Sequence, residues 1–472
     1  MKPLLFMTAL AVALACSMQA YAQQKPNIIL IIADDVSWND IGCYGNTSVR
    51  TPHIDKMAKN GIRFRNAFVT SSSCSPSRSS IITGRYPHST GAAELHTPLP
   101  AHMTFFPELL KKNGYYTAHA GKWHEGPNAK RAYDTSLVAN AKNFAGGEEK
   151  WVEVLRQRPK DKPFFCWFAA LDAHRAWQPD AALPPHDPAK VKVPPMLADT
   201  KETREDLAAY YDEIARLDRY VGELNAELQR QGIASNTLVI FMADNGRPFP
   251  GSKTRLNDAG VRTPFIVQWP GKIRQGSESE ALISSVDIAP TLLELAGLPA
   301  AASMQGKSFT RLFTQPQQPF REYVFTEHNW HDFEAYERAV RTKDYLYILN
   351  KRPQFSNQGP RDAVNSPSFA ALLAARERGP LTPQQQDIFT APRQAEELYA
   401  VTKDKDQIHN LAGNAQYAAA KEKLRQALES WRRETGDTEP AVLTHDWYER
   451  LTGEKKPEHG KRGEMPGSAT EK

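Results

Sequence analysis

The strongest signal along the chain is a series of short apolar runs that stop on polar residues. Asn27 to Ala33 (Asn-Ile-Ile-Leu-Ile-Ile-Ala) is continuous, rich in β-branched side chains and bounded by Pro26 and Asp34. A run without polar alternation is the pattern of a strand buried on both faces of a parallel sheet. Ile62 to Val69, Tyr115 to Ala120, Pro163 to Leu171, Thr237 to Ala243 and Thr263 to Gln268 read as further strands. Between them lie helical patterns: Thr51 to Asn60, closed by Gly61; Phe105 to Lys112, with Gly114 after it; and Ile288 to Leu295, stopped at Gly297. The longest helix is Lys201 to Gln231. Leu207, Tyr211, Ile214, Leu217, Val221, Leu224 and Leu228 mark its apolar face, and Gly232 ends it. Strands alternating with helices predict a doubly wound α/β sheet.

The pattern changes at Gln315-Pro316-Gln317-Gln318-Pro319, which reads as a linker. Beyond it, Glu322 to Thr326, Arg338 to Arg341 and Tyr345 to Leu349 look like antiparallel strands, and Ala418 to Arg433 like an amphipathic helix. Gly453 to Lys472 is charged, Gly/Pro-rich and without periodicity, the composition of a disordered tail. At the other end, Lys2, the apolar run Leu4 to Ala15 and the small-x-small site Ala20-Tyr21-Ala22 form an export signal, too short to span a membrane. The expected organisation is a signal peptide over 1–22, a main domain over 23–318, a smaller α+β subdomain with an antiparallel sheet over 319–452, and a tail over 453–472. The expected location is periplasmic or secreted, with no stable membrane insertion. Cys16 follows an imperfect lipoprotein box, so a lipid anchor is the alternative.

Composition narrows the function. Over 472 residues, 59 basic side chains face 54 acidic ones, a net charge of +5. That balance tolerates a polyanionic ligand, and no basic stripe with interleaved aromatics points to nucleic acid. Beyond Cys16 the cysteines are Cys43, Cys74 and Cys166, an odd and sparse set that is no disulfide framework. No C-x-x-C or His-rich spacing suggests zinc.

Cys74 stands out. It lies in Ser71-Ser72-Ser73-Cys74-Ser75-Pro76-Ser77-Arg78-Ser79-Ser80, with Thr83-Gly84 following. Pro76 suits the first turn of a helix, so Cys74 is expected at a helix N-terminus, where backbone N–H groups favour an anion. Arg78, one turn on, would face the same spot. Four apolar runs also end on chemistry: Asp34-Asp35, Lys122 with His124, His174, and Asp244-Asn245. Ligands of open α/β sheets bind outside the carboxyl ends of the strands, so these groups are expected in one crevice. Three carboxylates and an amide are hard oxygen donors suited to Ca²⁺ or Mg²⁺. With Arg78, Lys122, Lys253 and histidines around it, such a cation makes a site for a tetrahedral oxyanion.

These motifs resemble the formylglycine-dependent sulfatases. Cys74-Ser75-Pro76-Ser77-Arg78 with Thr83-Gly84 matches the family signature. Ala33-Asp34-Asp35, Gly121-Lys122-Trp123-His124, Asp244-Asn245-Gly246, Thr263-Pro264-Phe265-Ile266-Val267 and Val340-Arg341-Thr342-Lys343-Asp344-Tyr345 follow in the family's order. Within the family, Asp244 to Pro250, Ser366-Pro367-Ser368-Phe369 and Glu397-Leu398-Tyr399 are most similar to the heparan N-sulfatase (sulfamidase) branch. Lys253 departs from it, standing where sulfamidases carry arginine, as in most O-sulfatases.

The resemblance implies an alkaline-phosphatase-like mixed sheet, with 23–318 as the catalytic domain. It implies a formylglycine made from Cys74 by a maturase, and a metal, Ca²⁺ or alternatively Mg²⁺, held by Asp34, Asp35, Cys74, Asp244 and Asn245. Arg78, Lys122 and Lys253 would neutralise sulfate, His174 would act as general acid and His124 as base, with His96 and His328 contacting substrate. The implied substrate is a sulfated glycan: N-sulfoglucosamine at the non-reducing end of heparin or heparan sulfate, or an O-sulfated glycosaminoglycan or other polysaccharide. A silent glycan-binding homologue stays open as well. Asn39 and Asp40 read as turn formers, and the aromatic run Phe164 to Phe168 as a core strand.

Overall fold

The computed structural model describes residues 25–138 and 147–467. The expected signal over 1–22, Cys16, and residues 468–472 of the expected tail lie outside them. In the main body the strands are β1 (Asn27–Ala33), β2 (Ile62–Phe68), β3 (Tyr116–Gly121), β4 (Thr135–Val138), β5 (Phe164–Ala169), β6 (Thr237–Ala243), β7 (Phe265–Gln268) and β8 (Ser277–Ser284). The helices that cover them are α1 (Pro52–Lys59), α2 (Cys74–Thr83), α3 (Phe106–Lys112), α4 (Trp151–Gln157), α5 (Lys201–Arg230) and α6 (Ile288–Leu295).

The eight strands form one sheet in the order β4-β3-β5-β1-β6-β7-β2-β8. All pairs are parallel except those of β7, which is antiparallel to β6 and to β2. The sheet is therefore mixed, as the family resemblance implies. Side chains alternate across a strand, and the central strands show why they need apolar residues throughout. Ile28, Leu30 and Ile32 of β1 join the core under α2, α3 and α6, whereas Ile29, Ile31 and Ala33 join the core under α1, α4 and α5. β5 and β6 divide in the same way, with Trp167 and Ile240 on one side and Phe168 and Phe241 on the other.

α5 holds the second layer in place. Thr200 caps its start by accepting the Thr203 N–H, and all seven residues of the expected stripe are buried. Leu207, Ile214, Leu217, Val221 and Leu224 are wholly so, each contributing about 1.5–3 kcal/mol of apolar burial.

The smaller region is an antiparallel sheet, ordered β12-β11-β10-β9, of β9 (Val324–His328), β10 (Glu337–Arg341), β11 (Tyr345–Asn350) and β12 (Glu396–Ala400). Two longer helices accompany it, α7 (Pro367–Arg378) and α8 (Ala418–Thr435), with one-turn helices at Arg361–Val364 and Pro383–Asp387. Leu424, Leu428 and Trp431 of α8 pack on Val340, Tyr347 and Leu398 of the sheet.

One expectation is corrected by the structure. Residues 453–467 are not a disordered tail but a folded strap. Tyr448 pairs with Lys455, Trp447 donates its indole N–H to the Lys461 carbonyl (2.7 Å), and the Gly463 N–H donates to Thr444 Oγ1 (2.9 Å). The physical reason is tertiary: two tryptophans, Trp330 and Trp447, need cover, and the strap supplies it through Arg462. Cys43, Cys74 and Cys166 are unpaired. None of the described helices is long and apolar enough to cross a membrane.

Candidate active site

Four strand ends and one helix start build the site. β1 runs into Asp34 and Asp35, β6 into Asp244 and Asn245, β3 into Lys122, and β5 into the loop carrying His174. These four strands are adjacent and parallel, so their carboxyl ends open along one edge. The turns interlock there: Asp34 N–H donates to the Asp172 carbonyl (2.9 Å), Asp244 N–H to the Ala33 carbonyl (3.1 Å), and Asp35 N–H to Asp244 Oδ1 (3.1 Å).

Cys74 is the first residue of α2, and Ser73 in extended conformation precedes it. Its Sγ lies 3.9 Å from Asp34 Oδ1 and 3.8 Å from Asp35 Oδ1. Burial pushes the thiol well above its ordinary pKa, although Lys122 and Lys253 pull the other way. Cys74 as encoded is thus a protonated thiol and a poor nucleophile. All ten residues of α2 are buried although five of them are Ser or Thr. One of these, Ser75, accepts the His96 N–H (2.8 Å).

Three buried cations meet three buried acids. Arg78 donates from Nε to Asp244 Oδ2 (2.8 Å), with Asp34 at 3.9 Å from Nη2. Lys122 pairs with Asp34 Oδ2, and Lys253 with Asp35 (2.7 and 2.8 Å to its two oxygens). Burial opposes the charge on all three cations, but the facing carboxylates outweigh it and hold their pKa values above the usual range. Burial also lifts Asp34 to about 6, against the pull of Lys122. On Asp35 burial acts upward too, but Lys253, His174 and Lys122 prevail and hold it below the usual carboxylate range.

This donor set fits a hard divalent cation. One ligand atom each from Asp34, Asp35 and Cys74 lies within 4.8 Å of the others, and all three residues are buried. Asn245 donates to Asp35 Oδ1 (2.6 Å), yet its own Oδ1 is buried without a partner, an acceptor with nothing to accept. Carboxylate and amide oxygens are what Ca²⁺ and Mg²⁺ take.

The histidines separate into roles. His96 Nδ1 and His124 Nε2 are 2.7 Å apart, and His96 has a positive φ of 63° at the rim. Burial and the neighbouring Lys122 depress both imidazoles, so each is held in the neutral form. His174 Nδ1 donates to the Arg175 carbonyl. Its loop is anchored because Arg175 holds both oxygens of Asp206 (2.7 and 2.8 Å) and stacks on Trp177 and Phe249, each ring 4.5 Å away. His328 does not fit the expected substrate contact. It is buried beside Glu337 (3.4 Å) and lines a small, partly open pocket that Thr254 and His331 also border. His331, three residues on, reaches the residue before Cys74 instead, with Nδ1 2.7 Å from Ser73 Oγ.

Three groups escaped the sequence reading. Glu125 is fully buried, and its Oε2 accepts the His124 N–H (2.8 Å). Asp362 comes from a one-turn helix of the C-terminal region, Arg361–Val364, and its Oδ2 lies 3.6 Å from Lys253 Nζ. The strap forms part of the wall: Arg462 donates to Glu94 Oε2 (2.9 Å) and to the Leu95 carbonyl (2.6 Å), while Leu95 and Trp330 pack against Cys74. An acid directly after Gly121-Lys122-Trp123-His124 was the available hint for Glu125; nothing local marks the other two.

Comparison with known proteins agrees with this geometry. The sulfatase family model matches residues 26–298, and a second model, described as N-sulphoglucosamine sulphohydrolase, C-terminal, matches residues 252–354. The chain is similar to the human N-sulphoglucosamine sulphohydrolase, 31% identical over 92% of this chain and 95% of that protein. It is also similar to an ulvan-active sulfatase of Formosa agariphila, 30% identical over 88% of this chain and 76% of that one. Among solved structures, an enzyme in complex with its substrate D-glucosamine-2-N,6-O-disulfate shares the fold, with a TM-score of 0.68 at 20% identity over 87% of this chain and 98% of that one.

Proposed function

From the premise that this chain belongs to the sulfatase family, and is thus a sulfate-releasing hydrolase, we propose that it removes the N-sulfate of N-sulfoglucosamine at the non-reducing end of heparin or heparan sulfate. The observation that carries the reading is the position of Cys74: at a helix N-terminus, 3.8–3.9 Å from two carboxylates, with Arg78, Lys122 and Lys253 closing the ring. Full-length likeness to the human sulphohydrolase supports the choice of an N-sulfated amino sugar.

Asp34, Asp35, Asp244, Asn245 and the residue derived from Cys74 would hold a divalent metal, which we take to be Ca²⁺, with Mg²⁺ as the alternative. When in place, the metal supplies electrostatic polarisation, and formylglycine supplies a hydrated aldehyde whose hydroxyl is the nucleophile toward sulfur. Lys122, Lys253 and Arg78 bind the sulfate oxygens and offset their charge. His174, its Nδ1 fixed on the Arg175 carbonyl, presents the other ring nitrogen to protonate the leaving atom. His124, neutral through burial, serves as the base. A maturase that oxidises Cys74 is an implied partner during biogenesis. The signal-like composition of segment 1–22 supports a periplasmic or secreted location.

The experiment is sulfate release, offered N-sulfoglucosamine and glucosamine 6-sulfate separately, with mass spectrometry of the Cys74 peptide. The expected result is an aldehyde at position 74, release from the N-sulfated sugar, and none from Cys74→Ala. Release from the O-sulfated sugar alone would establish the O-sulfatase reading, to which the likeness to an ulvan-active sulfatase lends support. A wholly unmodified cysteine would leave a glycan-binding protein.

A further inference from the structure

A site for sulfate has little use for free carboxylates, yet one points into this one. Asp362 Oδ1 accepts the N–H of Ala363 in its own turn (2.7 Å). Its other oxygen, Oδ2, has the 3.6 Å charge contact with Lys253 Nζ, an ammonium already held by Asp35 at 2.7 Å. The side chain stays 23% exposed, so it meets the pocket and is not sealed away. One of its oxygens, a nitrogen of His174 and an oxygen of Asp35 all lie within 4.8 Å of one another.

The surroundings sharpen the point. Asp332 accepts the Arg361 N–H (3.0 Å) next door, adding a second acid to the same wall. The Arg361 guanidinium turns away onto the Tyr448 ring (4.6 Å) and donates to the Gly453 carbonyl (3.2 Å). Both signs of charge therefore line the pocket, with Lys253 between Asp35 and Asp362. Arg78 and Lys122 lie at the Cys74 end, and an acid with a spare oxygen lies beside the group assigned as general acid.

We propose that Asp362 binds the leaving amine, accepting a hydrogen bond from the sugar nitrogen as it becomes an ammonium group. The inference rests on the N-sulfated amino sugar reading above. In the step it serves, His174 gives the nitrogen a proton, the S–N bond breaks with its electron pair passing to nitrogen, and the sulfuryl group passes to the nucleophile. The amine so released takes a second proton from solvent water to become the ammonium group, whereas a released hydroxyl stays neutral. The carboxylate therefore favours nitrogen over oxygen through a charge-assisted bond.

Binding of the desulfated sugars tests this without requiring turnover. Calorimetry at about pH 6, below the ordinary range of alkylamines, compares glucosamine, N-acetylglucosamine and glucose on the full chain and on Asp362→Asn. Glucosamine is expected to bind at least about tenfold more tightly than the other two, and Asp362→Asn to erase most of that preference while leaving the affinity for glucose unchanged. Equal affinities for the three sugars, no measurable glucosamine binding, or a preference that survives Asp362→Asn would overturn the assignment. The comparison on the unaltered chain holds even if the variant folds poorly. Failure of the N-sulfatase reading shows separately, as absence of sulfate release from N-sulfoglucosamine.

Discussion

Arg78 and Asp244 share a single oxygen: Nε and Nη2 of the guanidinium lie 2.8 and 2.7 Å from Asp244 Oδ2, and both side chains are excluded from solvent. Removing one partner strands the other as a buried charge, a loss of about 3–5 kcal/mol. Arg78→Ala should therefore lower the free energy of unfolding by about that amount, and Arg78→Lys by less. Urea denaturation at one pH measures both. A loss below about 1 kcal/mol in Arg78→Ala would match an exposed pair and contradict the burial described here.

Chelation should weaken both activity and stability. A ligand that binds the folded chain alone stabilises it by mass action, by about 2.7 kcal/mol at a hundredfold excess over Kd. EDTA is expected to lower Tm and abolish sulfate release, and Ca²⁺ to restore both at lower concentration than Mg²⁺. A Tm that ignores EDTA would count against a metal on Asp34, Asp35, Asp244 and Asn245.

Acid should destabilise the fold partly through His119. Burial depresses this imidazole from 6.5 to about 3 in the folded chain. The unfolded chain takes up a proton that the folded one refuses, so the stabilisation is complete above pH 6.5 and is lost as pH falls toward 3. Each such group steepens the dependence by up to about 1.4 kcal/mol per pH unit. His119→Gln should flatten the urea midpoint against pH in that window.

A remote aspartate caps α1. Thr51, at the N-cap position, makes no side-chain cap bond. Asp218 of α5 takes over, accepting the N–H groups of His53 (3.0 Å) and Ile54 (2.7 Å). Asp218→Ala should cost about 1–3 kcal/mol and leave kcat unchanged, since the residue belongs to no part of the site. Denaturation midpoints and a kcat measurement together check it.

What could be read in advance follows from how local each signal is. β1, β5 and β6 are covered on both faces, so unbroken apolar runs were their physical requirement and their signature. β8 (Ser-Glu-Ser-Glu-Ala-Leu-Ile-Ser) is an edge strand with five of its eight residues polar, and it carries no such run. β12 is short, at the edge of its own sheet, and was missed for the same reason. Site residues at strand ends were legible because topology gathers them. Asp362 was not, because only the docking of the C-terminal region carries it to Lys253. The strap looked disordered by composition, and its order comes from two tryptophans and one arginine contacting residues far away in sequence.

That strap ties the completion of the pocket to the order of chain synthesis. Arg462 bonds Glu94 across 368 positions, and through Leu95 it fixes the loop that carries His96. A ribosome delivers Cys74 388 residues before Arg462. The cysteine therefore emerges long before its enclosure can close, and throughout that interval it stays within reach of the maturase proposed above. A shortened chain would present the opposite fault: all the motifs in place, and a pocket with one wall missing.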